Sequence, residues 1–521
     1  MKDKKRSLRH SLICLPLCAW LLVVLACARS NQSVKDPWSV SDSNLAQTAV
    51  ARASTPTPEK VADQPAAKPI LTPTPDEARI LPTLRSDTEE YVVESGDTLG
   101  IISRKFSVGL QALIDANQLS NPDYLDIGQE LVIPAPVPGS PGTGFKVIPD
   151  AELVYSPSAV GFDTEGFVKS QGGYLASFEE EVEGRTLNGA QVVERVAKDY
   201  SVNPRILLAL LEYRSGWVTQ QNPEEKTLEY PLQEIEAWRK GLYYQLAWGA
   251  NSLNRGYYLW KVNAIGAWSL SDGSLVPIDP TINAGTAGVQ YLFSLLLNRS
   301  DWDKAVSQAG LYQTYVKLFG FPFNFAIDPL IPAGITQPSM QLPFEKGRSW
   351  AFTGGPHGGW GDGSAWAALD FAPPGEALGC VKSDEWVVAV ADGSIVRADQ
   401  GAVIQDLDLT GEKTNDGLEE TGWVVLYMHI EERERVQAGD YVRAGERIGH
   451  PSCEGGVSSG THVHLARRYN GEWISADQTL PFVLDGWISR GTGKEYDGTL
   501  QKDDQVVEAW EGFFPYNTIQ R

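Results

Sequence analysis

Basic residues are scarce in this chain of 521 residues, since 44 Lys and Arg stand against 66 Asp and Glu and give a formal net charge of −22. Nucleic acids and anionic membranes bind through basic surfaces, so this balance argues against both as partners. The acidity itself names no partner and is typical of an exported protein that stays soluble through charge. The length is too great for one core and predicts several domains.

The apolar run at the N-terminus, Leu12–Leu25, is too short to cross a bilayer comfortably, and it follows a basic segment. This pattern predicts a secretory signal over residues 1–27. Its end, Val24-Leu25-Ala26-Cys27, resembles a bacterial lipoprotein signal, in which the cysteine is acylated after cleavage. The resemblance implies a lipid anchor at Cys27 and a place at the outer face of a membrane. Ordinary signal cleavage with a fully secreted product is the alternative.

Cysteines are few, five in all. Cys14 and Cys18 would leave with the signal and Cys27 would carry lipid, which leaves Cys380 and Cys453. A pair of cysteines in an exported domain predicts one disulfide. The alternative, a cysteine-rich metal site, needs more ligands than these two.

Residues 28–88 lack an apolar period and are rich in Pro, Thr, Ala and Ser, so we expect a disordered linker. Residues 89–136 then show the pattern strand, helix, helix, strand. Their motifs resemble a LysM module: Tyr91-Val92-Val93, Gly96-Asp97-Thr98-Leu99, Asn117 and Gly128-Gln129-Glu130-Leu131. The resemblance implies binding of N-acetylglucosamine-containing glycans such as peptidoglycan, with Gly96, Asp97, Thr98 and Asn117 as candidate contacts. A purely structural small domain is the alternative.

Residues 137–186 contain Pro and Gly and are expected to be a linker and irregular segment. Helical patterning fills residues 187–325, where Asn203 caps a helix opened by Pro204, and predicts an all-α domain. Several of its motifs resemble the lysozyme-like lytic transglycosylases: Val202-Asn203-Pro204, Leu207–Leu211, Ser215-Gly216-Trp217, and Asp279-Pro280 with Asn283, Gly285, Tyr291 and Leu292.

The catalytic position of those transglycosylases is altered here. They carry Glu just before Ser-Gly, where this chain has Arg214, and Glu212 lies about 200° around the same helix. Glycan cleavage needs a carboxyl with a raised pKa, which Arg cannot supply. We therefore expect a glycan-cradling or architectural domain, and glycosidase action through Glu212 is the alternative.

Histidines are also scarce, but five of the six lie between His357 and His464. In His462-Val463-His464 both imidazoles face one side of a strand, because residues i and i+2 point the same way. The same alternation places His429 on the face of Tyr427. Two strands that aim histidines at a face predict a metal site, whereas the isolated His450 is expected to be a hydrogen-bonded structural residue.

Two further residues complete a ligand set. His357 lies among glycines that allow close approach to a metal, and Asp370 lies between Leu369 and Phe371. Zinc hydrolases use three protein ligands of the nitrogen and oxygen type and leave one position open. The chain thus offers the residues that a catalytic zinc site needs.

The complete pattern resembles the lysostaphin-like zinc endopeptidases of the M23 type, nearest their β-lytic branch: Gly354-Gly355-Pro356-His357, Leu369-Asp370-Phe371, Leu426-Tyr427-Met428-His429 and His462-Val463-His464. The resemblance implies one zinc ion held by His357, Asp370 and His464. It places His462 and His429 beside the reacting water. We assign His462 as general base and His429 as oxyanion stabiliser. Tyr427 is either a further cleft residue or structural.

The strand signals predict a mainly antiparallel β peptidase domain over residues 341–485, with residues 486–521 as an extension packed on it. Together the segments predict an exported, lipid-anchored enzyme that hydrolyses the peptide cross-links of peptidoglycan and is targeted by LysM. A non-catalytic cell-wall scaffold is the alternative from another class. The sequence indicates neither the bond cleaved nor the oligomeric state.

Overall fold

The computed structural model describes residues 74–122, 124–375, 379–407 and 416–521. The predicted signal segment 1–27, its lipidation candidate Cys27 and most of the predicted linker 28–88 lie outside the described residues. Within the described ranges, no helix is long and apolar enough to span a membrane.

The first ordered segment is a small βααβ unit, as the sequence predicts. It comprises β1 (Glu89–Val92), α1 (Leu99–Lys105), α2 (Leu110–Asn117) and β2 (Glu130–Ile133). The two strands pair antiparallel, with Tyr91 opposite Leu131. Both helices pack leucine and isoleucine against this pair of strands, so the unit has a core of its own.

The helical region begins earlier than predicted. Residues 137–186, expected to be a linker and irregular segment, hold α3 (Asp150–Leu153), α4 (Thr164–Gln171), β3 (Glu179–Val182) and the start of β4 (Arg185–Asn188). Val147, Ile148 and Leu153 are fully buried in the helical core. Because these elements are short and their apolar residues follow no long helical period, the sequence pattern did not reveal them.

The rest of the region is mainly helical. Its elements are α5 (Gly189–Tyr200), α6 (Pro204–Ser215), α7 (Leu242–Lys261), β5 (Ala267–Ser269), β6 (Leu275–Pro277), α8 (Ala284–Leu296), α9 (Arg299–Ala305) and α10 (Leu311–Phe319). Asn203 caps α6 by accepting a hydrogen bond from the Arg205 amide, and Pro204 occupies the first turn, as predicted. The hairpins β3–β4 and β5–β6 show that the prediction of an all-α domain was wrong in that detail.

The C-terminal region is built of strands, in agreement with the prediction. They are β7 (Ser349–His357), β8 (Ala368–Ala372), β9 (Val387–Val388), β10 (Gly393–Asp399), β11 (Ala402–Asp406), β12 (Trp423–Met428), β13 (Tyr441–Val442), β14 (Arg447–Gly449), β15 (Val463–Tyr469), β16 (Glu472–Trp473), β17 (Val483–Leu484), β18 (Trp487–Gly491), β19 (Gly498–Lys502), β20 (Gln505–Glu508) and β21 (Thr518–Gln520). The main sheet has the order β13-β10-β11-β12-β15-β8-β7-β21, and β16 pairs with β15.

The C-terminal extension completes this region. Strands β17–β20 form a separate four-stranded sheet, and β21 pairs with β7 at the edge of the main sheet. The pairing places Ile519 opposite Trp350, and both residues are buried. The end of the chain therefore covers an edge that would otherwise present unpaired backbone groups.

Both faces of the main sheet are buried. Residues Ile404, Leu426 and Ala466 belong to the same core as the helices. Their neighbours Val403, Val425 and Leu465 point to the opposite face and a second core. The helical region and the sheet are thus packed through one continuous apolar core.

A buried ion network also joins the two regions. Arg397 Nη1 lies 2.6 Å from Asp199 Oδ1 on α5, and Arg468 Nη2 lies 2.8 Å from Glu419 Oε2. Arg397 also pairs with Glu419. Although burial opposes ionisation, these two guanidinium groups lower the pKa of Glu419 to about 2, so the carboxylate is charged at neutral pH.

Replacing Asp199→Ala should destabilise the protein by about 3 kcal/mol, because it leaves the buried Arg397 guanidinium with only one of its two carboxylate partners. The measurement is denaturant unfolding of the full chain. Glu165→Ala, which removes the exposed pair with Lys169 on α4, is the control and should change stability little. Equal effects of the two substitutions would show that the buried network does not hold the regions together.

Candidate metal centre

Three adjacent strands position the predicted ligands. On β8 and β15, Asp370 lies directly opposite His464, so both side chains leave the same face of the sheet. Strand β7 reaches them through two irregularities in its pairing with β8, on either side of Gly354. Such bulges redirect a side chain, and here they bring His357 to the same point.

Glycine is required where β7 passes Asp370. A Cβ at Gly354 would lie 2.6 Å from Asp370 Oδ2, closer than real side chains approach. The close passage of the strand over the carboxylate is therefore possible only without a side chain.

The potential ligand atoms of His357, Asp370 and His464 all lie within 4.8 Å of one another. His357 Nε2 is 2.9 Å from His464 Nδ1 and 3.2 Å from Asp370 Oδ1. His464 Nδ1 is 3.3 Å from the same carboxylate oxygen. His357 and Asp370 are buried, and His464 is partly buried. The structure thus brings together the three residues that the sequence assigns to zinc.

Backbone carbonyls determine which ring nitrogens are protonated. His357 Nδ1 donates to the Gly355 carbonyl at 2.8 Å, and His464 Nε2 donates to the Gly359 carbonyl at 3.0 Å. In the neutral rings the other nitrogen of each is then a lone pair, and the two lone pairs face each other.

A cation fits this arrangement. Asp370 Oδ1 is buried and accepts no hydrogen bond from the described residues. Despite its burial, the positive charge that the His357 and His462 imidazoles carry when protonated holds the pKa of Asp370 well below its usual value, so it is a carboxylate. When both ligand imidazoles are neutral, three electron-rich atoms converge without a proton between them, and a set of two nitrogens and one oxygen suits zinc.

Two more imidazoles lie beside this trio. His462 Nδ1 donates to the Gly460 carbonyl at 2.7 Å, and its Nε2 is 3.7 Å from Asp370 Oδ1. His429 Nδ1 donates to the Glu454 carbonyl at 3.0 Å, and its ring centroid is 4.5 Å from that of His462. Burial, aided by His462 and His464, lowers the pKa of His429 to about 3, so this ring is neutral near pH 7.

The alternation of side chains along a strand does not predict the position of His429 at the site. Strand β12 ends at Met428, and His429 adopts a left-handed backbone with φ of 67°. Met428 lies opposite His464, whereas Tyr427 lies opposite Leu465 on the other face. The expectation that Tyr427 and His429 share a face was therefore wrong. Tyr427 is buried, donates to Gln405 Oε1 and accepts from the Val390 amide, which is a structural role.

Sequence reasoning missed the contribution of the C-terminal extension. The ring of Tyr496 stacks on His357 with centroids 4.2 Å apart. Backbone hydrogen bonds from Gly355 to Tyr496 and from Tyr496 to Pro356 hold the two segments together. No motif or spacing in the sequence links residue 496 to a histidine so far away in the chain, so only the fold reveals the contact.

The predicted disulfide between Cys380 and Cys453 is present. Cys453 precedes Glu454, whose carbonyl accepts the hydrogen bond from His429. The crosslink thus restrains the loop that orients one of the two additional histidines.

His450 has the structural role that was predicted. Its ring bonds to the Glu385 carbonyl and to the Glu434 carboxylate, away from the trio. Glu212, the glycosidase candidate, uses its carboxylate to accept hydrogen bonds from the Val218 and Thr219 amides and the Thr219 hydroxyl. These bonds occupy the carboxylate in stabilising the loop that follows α6.

Three of the four glycan candidates of the βααβ unit make internal bonds. Asp97 accepts from the Tyr91 hydroxyl, and Thr98 caps α1 by accepting from the Ile101 amide. Asn117 bonds to the backbone of Val132 through both ends of its amide. Gly96 has a φ of 90°, which favours glycine in the turn before α1.

Three family models match separate parts of the chain. Residues 375–476 match the model of Peptidase family M23, and residues 91–134 match the LysM domain. The chain carries an M23-type peptidase domain and a LysM domain. Residues 146–331 match the LasA N-terminal domain, and this match includes most of residues 137–186, which the sequence predicts to be a linker and irregular segment. The likeness of this region to lytic transglycosylases stays a prediction.

Individual relatives cover different parts of the chain. Protease LasA of Pseudomonas aeruginosa (strain UCBPP-PA14) is 25% identical over 345 residues, which is 63% of this chain and 74% of that protein. Beta-lytic metalloendopeptidase of Achromobacter lyticus is 29% identical over 166 residues, 30% of this chain and 40% of that protein. The solved structure of the M23 metalloprotease pseudoalterin is 24% identical, with a TM-score of 0.27, and covers 35% of this chain and 99% of its own.

The stacking of Tyr496 on His357 can be tested by substitution. Tyr496→Ala should lower zinc affinity about tenfold, because partners that orient a ligand have effects of this order. Competition with a chelator measures the affinity. Tyr516→Ala, a similarly exposed tyrosine of the same extension, should leave it unchanged. Unaltered affinity in the Tyr496 variant would mean that His357 needs no support from the stacked ring.

Proposed function

We propose that this protein is an exported zinc metalloendopeptidase that hydrolyses the peptide cross-links of peptidoglycan. The observation that carries the proposal is the convergence of three lone-pair atoms, from His357, Asp370 and His464, beside two further imidazoles. The matches to M23 peptidases and to LysM support a cell-wall substrate. The relatives named as LasA protease and β-lytic metalloendopeptidase support the same reaction class.

A zinc ion held by His357, Asp370 and His464 would lower the pKa of a water molecule towards neutrality and polarise the scissile carbonyl. The Gly355 and Gly359 carbonyls keep the two ligand imidazoles in the tautomers that this requires. Asp370 supplies the negative charge that partly balances the ion.

His462 is the proposed general base. Its Nδ1 proton is engaged by the Gly460 carbonyl, so Nε2 presents a lone pair towards Asp370 and can take a proton from the attacking water. The ring is only partly buried, which suits a residue that must meet substrate. The imidazolium can then deliver this proton to the leaving amine.

His429 is the proposed oxyanion stabiliser, under a condition set by its tautomer. Its Nδ1 proton is engaged by the Glu454 carbonyl, so neutral His429 offers only a lone pair at Nε2. Its low pKa keeps it in that form in the resting protein. Donation to an oxyanion would therefore require a second proton at His429 Nε2, because the proton that His462 takes from the water goes to the leaving amine.

We further propose that the LysM domain holds the glycan of the same polymer, and that the lipid anchor expected at Cys27 keeps the protein at the cell envelope. The helical region would bind or position glycan without cutting it. The engagement of Glu212 by three hydrogen-bond donors supports this choice over a glycosidase. Replacing Glu212→Gln should leave glycan release unchanged.

Zinc content tests the ligand assignment. The full chain should bind about one zinc ion, and His464→Ala should lose both the ion and peptide cleavage on purified peptidoglycan. His450→Ala should keep its zinc, because that ring bonds elsewhere. Metal analysis and release of new amino termini measure the two properties. A full chain that takes up no zinc would overturn the proposal.

His462→Ala should separate binding from catalysis. We expect zinc to be retained and kcat to fall about 10²- to 10⁴-fold, the usual contribution of a general base. His429→Ala is the matched variant at the second ring. If His429→Ala lowered only kcat while His462→Ala stayed active, the two roles would be reversed.

A further inference from the structure

A second cleft lies outside the metal centre. Its volume is about 560 Å³, and it is formed where the LysM domain, the helical region and the loop after β7 meet. It is lined by Arg104 of α1, by residues of α5, α7, α8 and the segment before α7, and by Gly361 and Asp362 of the loop after β7.

Aromatic rings line much of the cleft. Trp238 and Tyr244 are 66% and 53% exposed, and Tyr200, Trp248 and Tyr291 line the cleft with them. The Arg239 guanidinium lies 4.2 Å from the Trp238 ring centroid and restrains it in the open cleft. Flat aromatic faces that remain accessible in a concave site suit a ligand with alternating apolar and polar faces, such as a sugar ring.

Polar groups surround these rings. Among the described residues that line the cleft, Arg104, Arg239 and Arg255 outnumber Glu234 and Asp362, although the chain as a whole carries a charge of −22. Asn251 adds an amide. A site with several hydrogen-bonding side chains and nearly balanced charge fits a polyhydroxylated or acetamido ligand better than a strongly charged one.

The cleft is physically connected to the metal centre. Asn251 Nδ2 donates to Asp362 Oδ1 at 2.5 Å and its Oδ1 accepts from the Gly363 amide at 2.9 Å. Arg255 donates to the Asp362 carbonyl at 2.8 Å. The same loop starts at His357, and its Gly359 carbonyl holds His464. One short loop therefore forms the rim of the cleft and orients the metal ligands.

We propose that this cleft binds an N-acetylhexosamine oligosaccharide, as the glycan strand of the polymer whose peptides are cut at the His357 centre. The proposal rests on the proposed function for its substrate. Trp238 and Tyr244 would stack on the sugar rings, and the Asp362 carboxylate, which is 75% exposed, would accept hydrogen bonds from their hydroxyl or amide groups. A strand held here places its attached peptides beside the metal centre.

The test uses the full chain with Trp238→Ala and Tyr244→Ala combined. Trp510→Ala with Tyr516→Ala is the matched control, because both of those rings are about half exposed on the C-terminal extension. Two readouts are needed: cleavage of intact peptidoglycan against cleavage of a glycan-free cross-linked peptide, and the stoichiometry of binding of N-acetylglucosamine oligomers by calorimetry.

The cleft variant should cleave intact peptidoglycan at least about tenfold more slowly at low substrate concentration. Its rate on the free peptide should be unchanged. It should bind oligosaccharide at one site instead of two, because the LysM site remains. Equal rates on intact peptidoglycan, or an equal loss on both substrates, would overturn the proposal. If the unaltered protein cleaved neither substrate, the proposed function would fail, while loss of one oligosaccharide site in the variant would still support the cleft.

Discussion

Each histidine around Asp370 is oriented by one hydrogen bond from a ring nitrogen to a backbone carbonyl. Because a carbonyl can only accept, the bonded nitrogen carries the proton and the other presents its lone pair to the centre. The accepting carbonyls belong to Gly355, Gly359, Glu454 and Gly460. The chemistry of the site therefore depends on how accurately the fold positions four peptide groups, one in β7, one in the loop after it and two in the segment between β14 and β15.

Distant parts of the chain provide that accuracy. The carbonyl of Gly355 is fixed by β7 and its contact with Tyr496, and that of Glu454 follows the disulfide at Cys453. The carbonyl of Gly359 lies in a loop that Asn251 binds from α7. The helical region thus supports the metal centre as well as packing on the sheet, and the shared core with the buried Arg397 network makes that support rigid.

The sequence predicted the parts of this arrangement that follow local rules. The βααβ unit, the strand character of the C-terminal region and the common face of His462 and His464 all follow from periodicity. The face of His429 was predicted wrongly, because one left-handed residue ends the alternation, and single-residue backbone changes leave no periodic signal. The secondary structure of residues 146–186 was not predicted for a related reason. Its short elements are stabilised by contacts with helices that lie much later in the chain. The stacking of Tyr496 on His357 arises only from tertiary packing.

The way in which the three regions are joined would affect which peptide bonds of a polymer reach the metal centre. After β2 the chain does not form a loose tether, because Gly139 and Gly142 donate to the carbonyls of Leu275 and Pro277 beside the β5–β6 hairpin. Arg104 of the LysM domain lines the same cleft as Trp238 and Asp362. A binding surface that is fixed relative to a catalytic centre raises the effective concentration of only those peptide bonds that lie at the matching distance along the glycan strand. The spacing between the proposed glycan-binding surface and the metal centre would then select which peptide along the polymer is cut.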